Sequence, residues 1–330
     1  MPARRIIGVD LGGTKLLAGA VDSGLGVHHR AQRIVAGLDQ AALLDVAVDA
    51  VQEARDSAGG EVVAVGFGIP SLMDQRTGTA VIAVNLPLFD VAFADVMAER
   101  LGLPVFVDND GNVAALAEHR AGAARGANEA VLLTIGTGIG GGLILGGELY
   151  RGGVGAAGEL GHVVIDMNGP PCQGNCPNRG CVESLASGTA LAREARRIAV
   201  ERPGSGLARA HEHGRELAGP LVTELAHDGD AAALEVIELI GSRLGVAIAS
   251  LVNIFNPQVV VIGGGVIAAG ELLLRPARAV VAARALPPSR DEVRIVQARF
   301  GVEAGMIGAA ALAYDGLAGR PGASSAGFSG

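Results

Sequence analysis

Apolar and polar positions alternate along the chain in blocks that predict strands and helices in turn. Ile6 to Val9 is a short apolar run ending in Asp10-Leu-Gly-Gly-Thr-Lys15, and Leu16 to Val21 resumes it. That pattern predicts a strand, a glycine hairpin turn and a second strand. Residues 39–57 carry apolar side chains at Leu43, Val46, Ala47, Ala50 and Val51, the spacing of one helix face. Val62 to Ile69 predicts a buried strand, residues 90–101 a helix, and Pro104 to Val107 another strand. Asp108-Asn109-Asp110 then leads into a helix from Asn112 to Arg120, with Asp108 read as its cap. The alternation implies an α/β fold with crossover helices.

A second cycle starts at Val131. Residues 131–134 predict a strand, Gly136 to Gly142 a turn, and Leu143 to Leu145 a strand, which echoes residues 6–21 and gives Asp10 and Thr134 comparable places. Residues 230–255 predict a long helix with Val236, Ile237, Ile240, Leu244, Ile248 and Leu251 on its apolar face. Glu235, Glu238 and Arg243 argue against a membrane span there, and Asn256-Pro257 ends it. Val259 to Ile262 predicts a strand entering Gly263-Gly264-Gly265, with a helix after it. A last helix over 303–314 precedes a Gly/Ala/Ser-rich tail from Gly316 that is expected to be disordered.

Composition narrows the function. Of 330 residues 51 are Gly, yet 49% are hydrophobic and 18% charged, which excludes a disordered chain. Trp is absent, aromatics are 3% and net charge is −8, so no nucleic-acid or anionic-membrane partner is expected. Arg4 and Arg5 precede an apolar run that Asp10 stops too early for a signal peptide. The three Cys all fall within 172–181, unlike a secreted disulfide framework, so a cytoplasmic protein is expected. His28, His29, His211, His213 and His227 match no motif and read as surface residues.

The glycine turns carry candidate chemistry. Asp10, Gly12, Gly13, Thr14 and Lys15, the only lysine, place a carboxylate, open backbone, a hydroxyl and a cation within six residues. Glycine lets backbone N–H groups approach an anion without a Cβ in the way. Lys15 adds a point charge, and Asp10 suits Mg²⁺ held through water. The turn at Gly136-Thr137-Gly138 offers a second set of amides and a hydroxyl. Gly264 and Gly265 follow a strand at a predicted helix start, which suits a phosphate. Together the turns point to a bound nucleotide.

Asp10-Leu-Gly-Gly-Thr-Lys15, Asn109-Asp110, Glu159-Leu-Gly-His162 and Gly180-Cys181-Val-Glu183 occur in this order. On these motifs the chain, from about residue 5 to about 314, resembles the ROK family of bacterial sugar kinases and repressors, and looks most like its glucokinases. The resemblance implies the actin/hexokinase-like ATPase fold, with two α/β lobes closing over sugar and ATP. The expected division is a small lobe over 1–120 joined by the C-terminal helix 303–315, a large lobe over 121–302 with a loop at 162–181, and the tail 316–330. It implies transfer of phosphate from ATP to a hexose, most readily glucose, giving glucose 6-phosphate and ADP. Asp110 matches the family's catalytic base, and Asn109, Asp110, Glu159, His162 and Glu183 match sugar-contacting positions. Asn85 in Asn85-Leu-Pro-Leu resembles a further sugar-side segment, although Leu88 and Phe89 depart from its usual continuation. Ser71 also stands where many relatives have Gly, which bears on sugar preference.

His162, Cys172, Cys176 and Cys181 offer one imidazole and three thiols, a set that suits a closed tetrahedral structural Zn²⁺ site. The family pattern has a single residue between the first two Cys, and here three residues separate Cys172 from Cys176. Such a metal would lock the loop, one nitrogen of His162 binding zinc and the other facing sugar. Free thiols beside a purely sugar-facing His162 are the alternative. Within the family a fructokinase, mannokinase or N-acetylhexosamine kinase is the alternative activity, and polyphosphate the alternative donor. A sugar-responsive repressor would carry a helix-turn-helix domain ahead of the first glycine turn, where only nine residues precede Asp10. The resemblance also implies a homodimer or homotetramer.

Overall fold

A computed structural model of the chain describes residues 3–74, 77–83, 86–320 and 325–326. In chain order the strands and helices begin with β1 (Arg4–Leu11), β2 (Lys15–Val21), β3 (Val27–Ile34), α1 (Gln40–Asp56) and β4 (Glu61–Ile69). Then come β5 (Ser71–Asp74), β6 (Thr79–Ala83), β7 (Phe89–Val91), α2 (Phe93–Leu101), β8 (Val105–Asn109) and α3 (Asp110–Ala121). β9 (Ala130–Ile135), β10 (Ile139–Leu145) and β11 (Glu148–Leu149) follow. After them lie α4 (Val182–Ala186), α5 (Gly188–Glu201), α6 (Gly206–Glu212), α7 (Gly219–His227) and α8 (Ala231–Phe255). The chain closes with β12 (Val259–Gly263), α9 (Glu271–Arg284), α10 (Ser289–Glu292), β13 (Arg294–Gln297), α11 (Ala304–Leu317) and β14 (Ser325–Ala326). It divides into two compact units: Met1–Gly126 with Gly142–Gly158 and Val302–Gly330, and Ala127–Gly141 with Glu159–Gly301.

The six-stranded sheet of the first unit has the order β14-β8-β4-β1-β2-β3. β1, β4 and β8 run parallel, and β2 and β3 extend the sheet antiparallel. The two-residue period of β1 sorts its side chains between two cores. Ile7, Val9 and Leu11 join the cluster that holds Leu43 and Ala47 of α1 and Phe93 and Met97 of α2. Ile6 joins the other, with Val113 of α3 and Ala309 to Ala313 of α11.

Gly8 falls on the α11 face, where a Cβ would stand 2.0 Å from the Met306 carbonyl oxygen. Its cross-strand partner Gly66 would meet the Ala309 carbonyl oxygen at 1.8 Å. These two glycines make a floor on which the backbone of α11 rests directly. Helix α3 packs as closely, since a Cβ on Gly308 would stand 1.7 Å from the Val113 carbonyl oxygen. Any side chain at these positions lifts a helix off its support.

The second sheet has the order β11-β10-β9-β12-β13. β12 is buried at every residue and parallel to both β9 and β13, which accounts for its unbroken apolar run. Helix α8 packs on α9, where a Cβ on Gly241 or Gly245 would stand 2.5 or 2.6 Å from a carbonyl oxygen. All six apolar positions expected on its inner face are buried. By length and composition α8 could cross a membrane, but it also carries Glu235, Glu238 and Arg243. Asn256, in the left-handed region at φ 47°, caps it.

Several expectations need correction. The turn at 136–142 is shorter, because β10 begins at Ile139 and takes Gly140, Gly141 and Gly142 into the strand. The helix expected over 90–101 starts at Phe93, since residues 89–91 pair with β6 in a small β5-β6-β7 sheet that the apolar pattern did not announce. α3 begins at Asp110, two residues early, because Asn109 rather than Asp108 caps it. The helix expected directly after Gly265 is a 3₁₀ turn, Gly265–Ala269, and the α-helix starts at Glu271. At the C-terminus Gly316 is still helical, held where its backbone meets the Phe106 ring, and Ser325–Ala326 pair with β8. His28, His211, His213 and His227 are exposed, while His29 is half-buried with Nε2 3.5 Å from Glu53.

Candidate active site and metal centre

In the first unit the site residues gather at the C-terminal ends of parallel strands. The first hairpin turn is tight, with Gly12 N donating to the Lys15 carbonyl at 2.9 Å. Gly12 and Gly13 are half-buried, and Thr14 and Lys15 are exposed. Asp10 follows Ile6 and Gly8 on the α11 face and ends at the N-terminus of α11, where a Cβ on Gly305 would stand 2.5 Å from its carboxylate. A helix N-terminus is a favourable place for that charge.

Register brings the second aspartate close. Asp10 lies opposite Gly68 of β4, and Gly68 in turn backs onto Val113 and the Cα of Asp110. Burial, and then the Asp110 charge, push the Asp10 carboxyl up to about 7. Burial also raises Asp110, opposed by hydrogen bonds that include Gly111 N to its Oδ1 at 2.8 Å. Two carboxylates in one desolvated corner hold a proton or a cation more readily than either alone.

The neighbours of Asp110 are fixed in different ways. Asn109 Oδ1 accepts from Gly111 N at 2.9 Å and Asn112 N at 3.3 Å, which makes it the helix cap. Its Nδ2 donates to the Ser71 carbonyl at 3.4 Å, and the same side chain also hydrogen-bonds to the Asp110 carboxyl. Ser71 itself is buried and turns its hydroxyl to the Leu72 carbonyl. Asp108 is wholly buried, accepts from Asn109 N and Asn112 Nδ2, and pairs with Arg151 Nε at 2.7 Å. The expected capping role of Asp108 is thereby replaced by an ion pair. Arg151 escaped the sequence reading because no local pattern links positions 43 residues apart. Gly305 escaped it for the same reason. Asn85 lies outside the described residues.

In the second unit Glu159 is exposed and His162 half-buried on a 3₁₀ turn, Leu160–His162. His162 faces two ways: Nδ1 is 3.5 Å from Cys172 Sγ, and Nε2 is 3.8 Å from Glu159 Oε2. Glu183, in the first turn of α4, accepts from Ile139 N at 2.8 Å and lies 3.8 Å from Cys172 Sγ. A Cβ on Gly138 would stand 2.3 Å from Glu183 Oε2, so the glycine in the second turn admits this carboxylate. Thr137 is exposed, and its carbonyl accepts from Thr189 Oγ1 at 2.8 Å. Gly264, at φ 83°, lies against the Ile135 backbone, and Gly265 is exposed beside open space.

The loop 162–181 folds back on itself. Bridges join Val164 to Cys181 and Pro171 to Arg179, and Cys172 N donates to the Asn178 carbonyl at 2.9 Å. The residues that widen the Cys172–Cys176 spacing form a turn, with Cys176 N donating to the Gln173 carbonyl and Gly174 at φ 59°. As a result all four ligand atoms of His162, Cys172, Cys176 and Cys181 lie within 4.8 Å of one another. Cys176 and Cys181 Sγ are 3.9 Å apart. Tetrahedral zinc with Zn–S bonds of about 2.3 Å requires about 3.8 Å between sulfurs, so the donor set fits the ion. Burial, together with hydrogen bonding to the other thiols, raises the Cys172 thiol, and burial likewise raises Cys181. A bound cation reverses that preference.

The sequence profile of the ROK family matches residues 6–315. A glucokinase of Halalkalibacterium halodurans is 37% identical over 93% of this chain and 94% of its own length. A glucokinase of Thermotoga maritima is 35% identical over 97% of this chain and all of its own. Among solved structures, a ROK family glucokinase from Streptomyces griseus in complex with glucose and AMPPNP superposes with a TM-score of 0.84 at 34% identity, covering 93% of this chain and 98% of that one. A match along nearly the whole length, joined to an α/β architecture shared with these structures, places the chain in the ROK family.

Proposed function

We propose that the chain transfers the γ-phosphoryl group of ATP to a hexose, glucose foremost, giving glucose 6-phosphate and ADP. The observation that carries this reading is the carboxylate pair at the N-terminal ends of two packed helices, Asp110 on α3 and Asp10 beside α11. The whole-length likeness to glucokinases supports glucose as the acceptor.

In the reaction the acceptor hydroxyl oxygen forms a bond to the γ-phosphorus, the bond from that phosphorus to the bridging oxygen breaks, and ADP leaves. Asp110 takes the hydroxyl proton. Burial raises its affinity for that proton, while the Gly111 amide fixes one oxygen and so the direction of the carboxylate. Asp10 would hold Mg²⁺ through water, an ion that supplies charge neutralisation on the phosphates when bound. Lys15 contributes the one ammonium, and the backbone around Gly12, Gly13, Thr137, Gly138, Gly264 and Gly265 contributes amide donors.

Asn109, Glu159, His162 and Glu183 are assigned to the sugar hydroxyls, as is Asn85. Carboxylate, amide and imidazole suit a neutral polyol, whose hydroxyls both donate and accept. His162, Cys172, Cys176 and Cys181 would hold a structural zinc, which locks the loop and with it the tautomer of His162. Three reduced thiols and an ATP substrate agree with a cytoplasmic setting, and a homo-oligomer belongs to the same reading. A coupled assay with ATP against glucose, fructose, mannose and N-acetylhexosamines tests it, with polyphosphate as a second donor. Glucose with ATP is expected to give the highest kcat/KM, and no turnover of any hexose overturns the proposal.

A further inference from the structure

The N-terminal ends of helices α3 and α11 lie at the two aspartates, Asp110 on α3 itself and Asp10 on β1 beside α11. The C-terminal ends of these helices, within the same unit, meet at a different feature. A cavity of about 430 Å³ opens there, lined by Arg120, Arg125, Tyr314, Asp315 and Arg320 among others. That volume lies in the range of small-molecule sites. Asp110 is at the opposite end of α3, about 16 Å away at 1.5 Å per residue, so the cavity is separate from the candidate active site.

The charges in this cavity do not cancel. Arg120 donates to Asp315 Oδ2 at 2.7 Å, and Arg320 to Asp315 Oδ1 at 2.8 Å, so both oxygens of the one lining carboxylate are engaged. Arg120 Nε is buried with no hydrogen-bond partner among the described residues. Arg125 is exposed, and its guanidinium has no ion pair among the described residues. Three guanidiniums against one carboxylate leave a surplus of two positive charges in a chain of net charge −8. The C-terminal dipoles of two helices offset about one of these. A positive surplus remains.

Guanidinium groups bind phosphate oxygens through paired, charge-assisted hydrogen bonds. We propose that this cavity binds a small phosphate-bearing anion, free phosphate or a phosphate monoester, recognised by the exposed guanidinium of Arg125 within the positive lining it shares with Arg120 and Arg320. No catalytic role of the chain enters this argument, so the site stands or falls apart from the kinase reading.

The test is calorimetric titration of the full chain with inorganic phosphate and, separately, with glucose 6-phosphate. Arg125→Glu is the principal variant, because that side chain is exposed and holds nothing else in place; Arg120→Gln is the second. We expect wild-type binding at about millimolar or tighter, weakened at least tenfold in Arg125→Glu, whose basal turnover stays at the wild-type level. Only the binding lost in Arg125→Glu is assigned to the cavity: if that component is equal for both probes the ligand is free phosphate, and if it is tighter for glucose 6-phosphate the ligand is an ester. Absence of binding, or binding of both probes unaffected by Arg125→Glu, overturns the proposal.

Discussion

Arg151 Nε donates to Asp108 Oδ2 across 2.7 Å, and Asp108 is wholly buried at the residue pair before Asp110. Its other oxygen accepts from Asn109 N and Asn112 Nδ2, so one carboxylate ties the end of β8 to the first turn of α3. Removing the guanidinium leaves a buried charge unpaired, which costs about 3–5 kcal/mol in comparable cases. Arg151→Ala is therefore expected to lower the melting temperature and to lower kcat more than it changes KM for glucose. Asp108→Asn added to Arg151→Ala is expected to recover part of the stability, because the orphaned charge is gone. Thermal denaturation of the single and double variants checks this, and a double variant no better than the single contradicts it.

Asp10 is costly to ionise. Burial first, and then the Asp110 charge, push its carboxyl up to about 7, so the folded protein resists charging it as pH rises from the ordinary carboxylate range toward neutrality. In metal-free and nucleotide-free protein, Asp10→Asn is expected to melt higher than wild type at pH 8. The advantage should shrink toward pH 4, where both side chains are neutral. The same variant is expected to lose at least about tenfold in phosphoryl transfer, since an amide no longer supplies the charge for Mg²⁺. Wild-type and variant melting curves that coincide at pH 8 would show that Asp10 carries no such cost.

In the proposed site the loop 162–181 would link metal to sugar through one imidazole, whose Nδ1 is toward Cys172 and whose Nε2 is toward Glu159. Metal analysis of the purified protein is expected to find about one zinc per chain. Cys181→Ser should lose the zinc and weaken glucose binding, because His162 and Glu183 both contact the Cys172 side of the cluster. A zinc-free protein that binds glucose as tightly as the loaded form would sever this link.

Glu194 gives the second unit a pH dependence of its own. Burial alone would raise its carboxyl, but hydrogen bonds from Arg197 and Arg243, with Arg193 beside them, outweigh it and hold the group at about 2. A depressed folded value stabilises above the unfolded value, and that contribution fades as pH falls from about 4.5 to about 2. Glu194→Gln should therefore lower the melting temperature at pH 7, with the difference closing below pH 3. A difference that stays constant over that range would assign the effect to packing rather than charge.

The elements that carry the site were legible because their signals are local. A carboxylate followed by Gly-Gly-Thr-Lys marks a strand end and a turn within six residues, and both aspartates fall at such ends. The Cys/His set was legible from spacing, and the turn at Gln173–Cys176 explains how a wider interval still closes the cluster. What depends on register was not legible. Asp10 reaches Asp110 only because β1 pairs with β4 so that Asp10 lies opposite Gly68. The floor of Gly8 and Gly66 has meaning only once α11 lies on it, and Arg151 finds Asp108 from 43 residues away. The sequence pattern overextends the second glycine turn, because Gly140 to Gly142 look like turn residues in isolation. In the fold Gly142 is a strand residue against the Gly111 carbonyl and Ala115, where a larger side chain has no room.

In the proposed reaction Asp110 accepts the proton of the attacking hydroxyl. The most direct measurement is the steady-state turnover of glucose and ATP by Asp110→Asn, beside calorimetric binding of glucose to the same protein. Loss of a general base predicts a fall in kcat of about 10²–10⁴-fold, with glucose still bound to within a few-fold of wild type. Turnover that survives at the wild-type rate would show that Asp110 is not the base.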